Sequence, residues 1–490
     1  MNVKTNHFDV MILGDGIAGM LLASMLSARH YRTALVKSVD LPLPSGKDPI
    51  KVRGRKKYFY EGIWESPFVA AALQDVALSH TVKTLFKQRE FAYQFVADDV
   101  RVDVPCGIEK FPGDLSREFD DLSGLKPALE GLSDAANRLN AALNPALDWL
   151  PNNFWHKFFT VRKNKKEFRK IVESIKPTAA EAEETLGRPP YSALFGAPVN
   201  FFANCRAGSA DVYSARTVYQ TINEMMYIYT GESIADVCSE KVAKRGGIII
   251  EEPTALDLRQ DGKRYAVDCG KTGEITADVC VFNMPLQLLP LALKNNKAKK
   301  VVAKFNQYAS PDYLKLSVTY QVHPDGLPEG MDTLAVYSKR LDSPSPEDCC
   351  LFVRDPVRQI APDRASLEVW RLAKTEGLSQ QRLEALTADT HEIVRRVCPF
   401  IDSHIYDRYE QRIWREDVTG LSIPASNGEF LYSRMTDDSD FCAPINVAVQ
   451  KNFFLASPEL FLPLNNEAPF AAALCLLKYM TKKVKMEGIG

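Results

Sequence analysis

The stretch that most constrains this chain is Phe8 to Ser38, which reads FDVMILGDGIAGMLLASMLSARHYRTALVKS. Phe8 to Leu13 is an apolar run suited to a buried strand of a parallel sheet. Gly14, Gly16 and Gly19 follow as G-x-G-x-x-G, Met20 to Leu26 continues as an apolar helix, and Thr33 to Val36 returns as a second short strand. Each glycine has a physical task at such a junction. The first permits a tight turn, the second close approach of backbone to a pyrophosphate, the third close packing of helix on strand. A helix that opens inside the motif aims free N–H groups and the positive end of its dipole at the phosphates. Alone, G-x-G-x-x-G is weak. Inside a βαβ unit of this length it predicts a dinucleotide site with Gly14, Asp15, Gly16, Ile17, Ala18 and Gly19 around the diphosphate.

One residue departs from that pattern. At the end of the second strand, where an acidic side chain would accept the ribose hydroxyls, the chain has Lys37. An ammonium cannot accept those bonds, but it can pair with a phosphate. The residues alone therefore leave open a 2′-phosphorylated nucleotide such as NADP(H).

A chain of 490 residues has room for two or three domains, which need not be contiguous. Its 61 basic and 62 acidic side chains nearly cancel, so no global field recruits nucleic acid. The ten cysteines form no C-x-x-C and no paired framework. They read as small buried hydrophobes in a reducing compartment. The histidines show no ligand spacing, so no metal is expected. The polar start runs directly into the first strand, and the longest apolar stretch, Ala468 to Leu477, is too short to span a bilayer. A cytoplasmic location is the expectation.

Further along, Arg53, Gly54 and Arg55 form a basic loop before an aromatic strand-like segment ending near Gly62. Arg55 is placed to neutralise a cofactor phosphate, or the loop is simply exposed. Leu115 to Leu150 has helical spacing interrupted by Pro127 and Pro145. Residues 154–170 set four aromatics before a basic cluster, which suits peripheral contact with anionic lipid or an aromatic helix packed on the core. Gly231 to Arg245 reads as a helix stopped by Gly246-Gly247, and short strands follow at Ile248–Ile250, 255–258, 265–269 and 278–283, with a hairpin at Asp261-Gly262. Tyr313 to Val322 alternates strictly, as a half-buried antiparallel strand does, and Ser379 to Cys398 is a helix with one apolar face. The chain closes with a buried strand over 452–456, a loop and a helix over 467–483.

This order of parts resembles the flavin-dependent amine oxidase and phytoene desaturase superfamily. GDGIAG resembles its ADP-binding motif, and Arg53-Gly54-Arg55 the G-G-R that follows. TGESIADVCSEKVAKRGGIIIEEPTAL resembles the second flavin-domain segment, with Ala255 where a valine is common, and ADVCVFNMP the strand-Pro element. NFFLASPELFLPLNNEAPFAAALCLLKYM resembles the C-terminal strand, flavin loop and closing helix. There the family's Ala-Gly-Asp reads Ala456-Ser457-Pro458, which crowds a close approach and removes an N–H donor.

The resemblance implies an α/β fold: a Rossmann-like FAD-binding domain over 1–75, 198–300 and 425–490, and a discontinuous α+β substrate domain over 76–197 and 301–424 that carries a helical insertion. It implies an FAD-dependent oxidoreductase moving a hydride from a largely apolar small molecule to flavin, with Gly14–Gly19, Lys37, Arg53, Arg55, Ala255, Ala456 and Ser457 at the cofactor. The sequence singles out no catalytic side chain. Two alternatives stand beside it: a non-catalytic binding or chaperone-like protein on a degenerate flavoprotein fold without cofactor, and the NADP(H) variant.

Overall fold

The computed structural model describes residues 7–37, 39–41, 50–52, 57, 59–97, 99–110, 115–119, 122, 124–145, 154–206, 212–230, 232–251, 254–255, 257–342, 344–355, 363–410, 413–415, 422–424, 429–434, 442–443 and 447–483. It opens as β1 (His7–Leu13), α1 (Ile17–Ser27) and β2 (Thr33–Val36). β2 lies parallel beside β1, with Ile12 opposite Leu35. Strand Ile248–Ile250 extends the sheet past β2, and strand Glu274–Phe282 flanks β1 on its other side, both parallel. The carboxyl half of Glu274–Phe282 carries parallel Phe453–Leu455, and its amino half carries antiparallel Arg264–Asp268. This is the parallel sheet expected from the first 38 residues, assembled from three separate stretches of chain.

Packing explains why α1 is apolar all round rather than on one stripe. Its residues Ala18 to Ser27 are all buried, because helices Ile234–Lys244 and Ala468–Lys483 both pack on it. Helix Ile234–Lys244 begins at a capping box, in which the Ser233 hydroxyl accepts the Asp236 N–H and the Asp236 carboxylate accepts the Ser233 N–H. It stops at Gly246, whose φ of +81° suits glycine. Residues Pro458–Thr481 are long and apolar enough to cross a membrane, but 94% of that apolar window is buried, so this is core.

The second sheet is antiparallel except for one pair. Its order is Ile405–Glu410, Ala309–Val322, Ala365–Lys374, Cys349–Arg354, Leu334–Ser338, Phe91–Ala97, Val100–Pro105, and only Leu334–Ser338 with Phe91–Ala97 runs parallel. Strand Glu429–Arg434, expected in the first domain, pairs instead with Ala309–Lys315, so the chain leaves this sheet later than residue 425.

The alternation in Tyr313–Val322 holds as an antiparallel strand, half-buried toward its end, where Thr319 and Gln321 are partly exposed, but covered on both sides nearer its start. Lys315 and Ser317, on the polar side, are 1% and 8% exposed because segment Ala197–Phe202 and its neighbours cover that side too. Helix Leu125–Leu143 is also continuous where Pro127 was expected to interrupt it. Proline there sits in the first turn, which lacks an intrahelical N–H bond anyway. The helix packs along Phe154–Leu186, which buries Phe168, Val172 and Ile175. The side chains of residues 154–163, to which the lipid-contact expectation chiefly refers, lie outside the described residues.

Candidate nucleotide-binding site

The site is built at the carboxyl ends of the parallel strands, where the direction of strand order reverses between β1 and Glu274–Phe282. Gly14 leaves β1 with φ +103° and donates its N–H to Val36 O at 2.9 Å. A Cβ on Gly14 would lie 2.4 Å from Asn283 O, and one on Gly19 would lie 2.2 Å from Asn283 Nδ2. Both positions exclude any side chain. Gly16 is the N-cap of α1 in extended conformation, φ −62° and ψ 150°. Its absent Cβ would face the Asn283 amide at 3.1 to 3.2 Å.

This changes the role expected for the middle glycine. The space its missing side chain leaves is taken by Asn283, which donates from Nδ2 to Gly14 O at 3.1 Å and to Gly16 O at 2.9 Å. The loop carbonyls are therefore tied inward. Among the described residues the N–H groups of Ile17 and Ala18, the first two of α1, have no acceptor. Two unpartnered donors at the positive end of an 11-residue helix form a site for an anion. Asn283 Oδ1, in a residue 4% exposed, is also buried without a donor. Unmet donors and an unmet acceptor at one strand junction fit a diphosphate and its neighbouring hydroxyls. Asp15 lies half-buried in the turn between them.

Lys37 follows β2 and is held by a neighbour, with its Nζ 3.1 Å from Glu251 Oε1. Ala456 donates its N–H to Phe282 O at 2.8 Å, which continues the sheet one residue beyond the strand. Ser457 is fully buried, and its hydroxyl donates to Glu459 Oε2 at 2.7 Å. The Glu459 carboxylate also accepts from the Tyr432 hydroxyl and the Leu286 N–H. Burial pushes the Glu459 carboxyl up, against the pull of those donors. Ala255 pairs in parallel with Asp40 at the edge of a small sheet beyond β2. Arg53 and Arg55 lie outside the described residues.

A second polar group was invisible in the sequence. Lys315 reaches out of the antiparallel sheet and donates from Nζ to Phe201 O and Ala203 O, both at 3.0 Å. Its charge acts on Glu61, a fully buried carboxyl that burial pushes up while Lys57 and Lys315 pull it down. Lys57 donates to Asn466 Oδ1, just ahead of helix Ala468–Lys483. The next residue, Glu467, forms an ion pair with Arg216, both side chains nearly unexposed, and accepts from the Ser66 hydroxyl at 2.7 Å. Asn140 bridges outward, accepting from Arg216 Nε at 2.6 Å and donating to Glu65 at 3.0 Å. These residues come from six regions of sequence and carry no common motif. The signal that could have found them is the lone Glu61 between aromatic residues and the acid at the start of an otherwise apolar helix. A small cavity lies between Val199, Tyr213, Thr217 and Asn465. Among the described residues no cluster of His, Cys, Asp or Glu suits a metal.

No family model matches the sequence, and no curated protein matches it. Solved structures match the fold. Cyclohexylamine oxidase from Brevibacterium oxydans aligns over 97% of this chain and 100% of its own, with a TM-score of 0.50 and 13% identity. A putrescine oxidase solved with putrescine aligns over 96% and 97%, with a TM-score of 0.51 and 12% identity. An oxidoreductase from Methanosarcina mazei aligns over 96% and 99%, at 0.50 and 11%. The fold is thus the one these solved oxidases share, a Rossmann-like parallel sheet with a second, largely antiparallel sheet beside it.

Proposed function

We propose that this protein is a flavin-dependent oxidoreductase that takes a hydride from a largely apolar small molecule, in the manner of amine oxidases and desaturases. The observation that carries the reading is the glycine loop: Asn283 ties its carbonyls inward and leaves the Ile17 and Ala18 N–H groups facing the crevice. FAD fits that cradle through its diphosphate. When bound, its isoalloxazine supplies the hydride acceptor. The chain's own residues do the rest. Buried Leu314, Phe430 and Tyr432, on one face of the second sheet, supply dry walls. Lys315, on the opposite face of that sheet, and Glu61, within reach of its charge, are the groups placed to hold or pass a proton. Ten free cysteines, nine of them buried, support a reducing, cytoplasmic setting.

The test is spectroscopic, with one backbone variant beside it. Freshly isolated protein should be yellow or take up added FAD with quenching of flavin fluorescence. Ile17→Pro deletes one crevice-facing N–H at the first helical position, where proline is tolerated, and Gly16 already has the extended conformation a following proline requires. Relative to an Ile17→Val control, FAD affinity should fall about tenfold or more, the worth of a hydrogen bond to a charged group, at similar melting temperature. Colourless protein that ignores FAD refutes the proposal. That result favours the second reading, a non-catalytic protein, which draws on the Ser457 hydroxyl and Glu459 satisfying one another.

A further inference from the structure

We propose that Glu251 is the residue that binds the adenosine ribose, and that Lys37 is there to position it. The proposal rests on the dinucleotide reading above and names the ribose contact of that same site. Folds of this kind place a carboxylate at the end of the second strand, where it accepts hydrogen bonds from the ribose diol. Lys37 holds that position and has only donors to offer.

The neighbouring strand makes good the loss. Ile248–Ile250 runs parallel beside β2 with Ile250 opposite Val36, and the Lys37 N–H donates to Ile250 O at 2.9 Å. The residue after Ile250 therefore emerges side by side with Lys37 at the edge that carries the glycine loop. That residue is Glu251. Its carboxylate lies one strand spacing farther from the loop, about 4.8 Å, a distance its side chain can span. Lys37 Nζ holds one oxygen, Oε1, at 3.1 Å. Oε2 has no partner among the described residues, and the Glu251 side chain is 75% exposed.

An exposed pair of this kind adds little to stability, so folding does not explain it. It does fix the direction of a carboxylate with free lone pairs, which is what a diol requires. Two further observations point to a ligand at this edge. The Ile17 and Ala18 N–H groups lack acceptors, and buried Asn283 Oδ1 lacks a donor. The acidic ribose contact thus sits one strand farther out than the usual position.

The experiment measures binding, not turnover. Flavin-stripped protein is titrated with FAD, ADP, 2′,3′-dideoxy-ADP and 2′-phospho-ADP, with thermal melts recorded for each variant. Glu251→Gln should weaken FAD and ADP about tenfold and leave 2′,3′-dideoxy-ADP unchanged, because the lost carboxylate and the lost hydroxyls are the same interaction. Lys37→Met should weaken ADP several-fold, and the double exchange Lys37→Glu with Glu251→Lys should recover most of the wild-type affinity. If Glu251→Gln weakens ADP and the dideoxy compound equally, or not at all, the assignment falls while the dinucleotide reading stands. Preference for 2′-phospho-ADP that disappears in Lys37→Met also overturns it, by giving Lys37 to a phosphate. A wild-type protein that binds no adenine nucleotide removes both.

Discussion

At Gly19 an added methyl carbon would lie 2.2 Å from Asn283 Nδ2, far inside contact distance, so this glycine answers to a partner more than 260 residues away. Gly14 answers to the same residue. On the proposed function, ligand-facing chemistry belongs to backbone N–H groups, and the side-chain-free positions serve the fit against Asn283 beneath them. Glu224 shows another effect of residue environment. Burial and the neighbouring Glu65 carboxyl push its own carboxyl up to about 9, with Glu467 adding to the shift and Arg216 opposing it. Burial also raises the nearby Tyr219 hydroxyl, and the Glu224 and Glu65 charges add to that rise. Unfolded, Glu224 titrates near 4.5, so between there and about 9 the folded chain keeps a proton the unfolded chain has released. That stability is complete below the lower value and is lost as pH rises toward the upper one. Melting temperature should therefore fall from about pH 5 to about pH 9, and Glu224→Gln should flatten the profile. An unchanged slope in the variant would count against a proton held on Glu224.

At the scale of elements, the buried Arg216–Glu467 pair joins helix Val212–Asn223 to the start of Ala468–Lys483, and Ser66 and Asn140 complete its bonding. Such a pair costs desolvation on both sides, so its net worth is small, but removing one member strands the other in a dry site. Arg216→Met should destabilise the protein by about 3–5 kcal/mol in urea titrations, and adding Glu467→Gln should return part of the loss. Equal destabilisation in single and double variants would show that the guanidinium matters for packing alone. The elements themselves were largely legible. The βαβ opening, the Ser233-capped helix and the Asp261-Gly262 hairpin each depend on bonds between near neighbours in sequence. Pro127 was misread because a proline's effect depends on its place in a turn, and the turn's start was not evident.

Across the whole molecule, one sheet collects strands from residues near 10, 280 and 454, while the chain between builds the second sheet and its helices. No disulfide ties these returns together: all ten cysteines are free, nine of them buried. Burial raises the thiols of Cys238, Cys349 and Cys398 to about 12, which keeps them unreactive as well as hidden. Native protein should thus react rapidly with Ellman's reagent at one position at most, half-buried Cys442, and at all ten after unfolding. Reductant should leave the melting temperature unchanged. Several fast native thiols would contradict this burial.

By itself the sequence determined the strand–glycine–helix opening, the periodicity of the long antiparallel strand and the class of fold, because each is written in residues close enough to constrain one another locally. Only the tertiary structure decided that Asn283 underpins the glycine loop, that Lys37 meets Glu251, and that Lys315 is buried beside Glu61. The physical reason is that burial and charge pairing depend on what covers a side chain. That cover comes from segments hundreds of residues away, whose arrival no local pattern encodes.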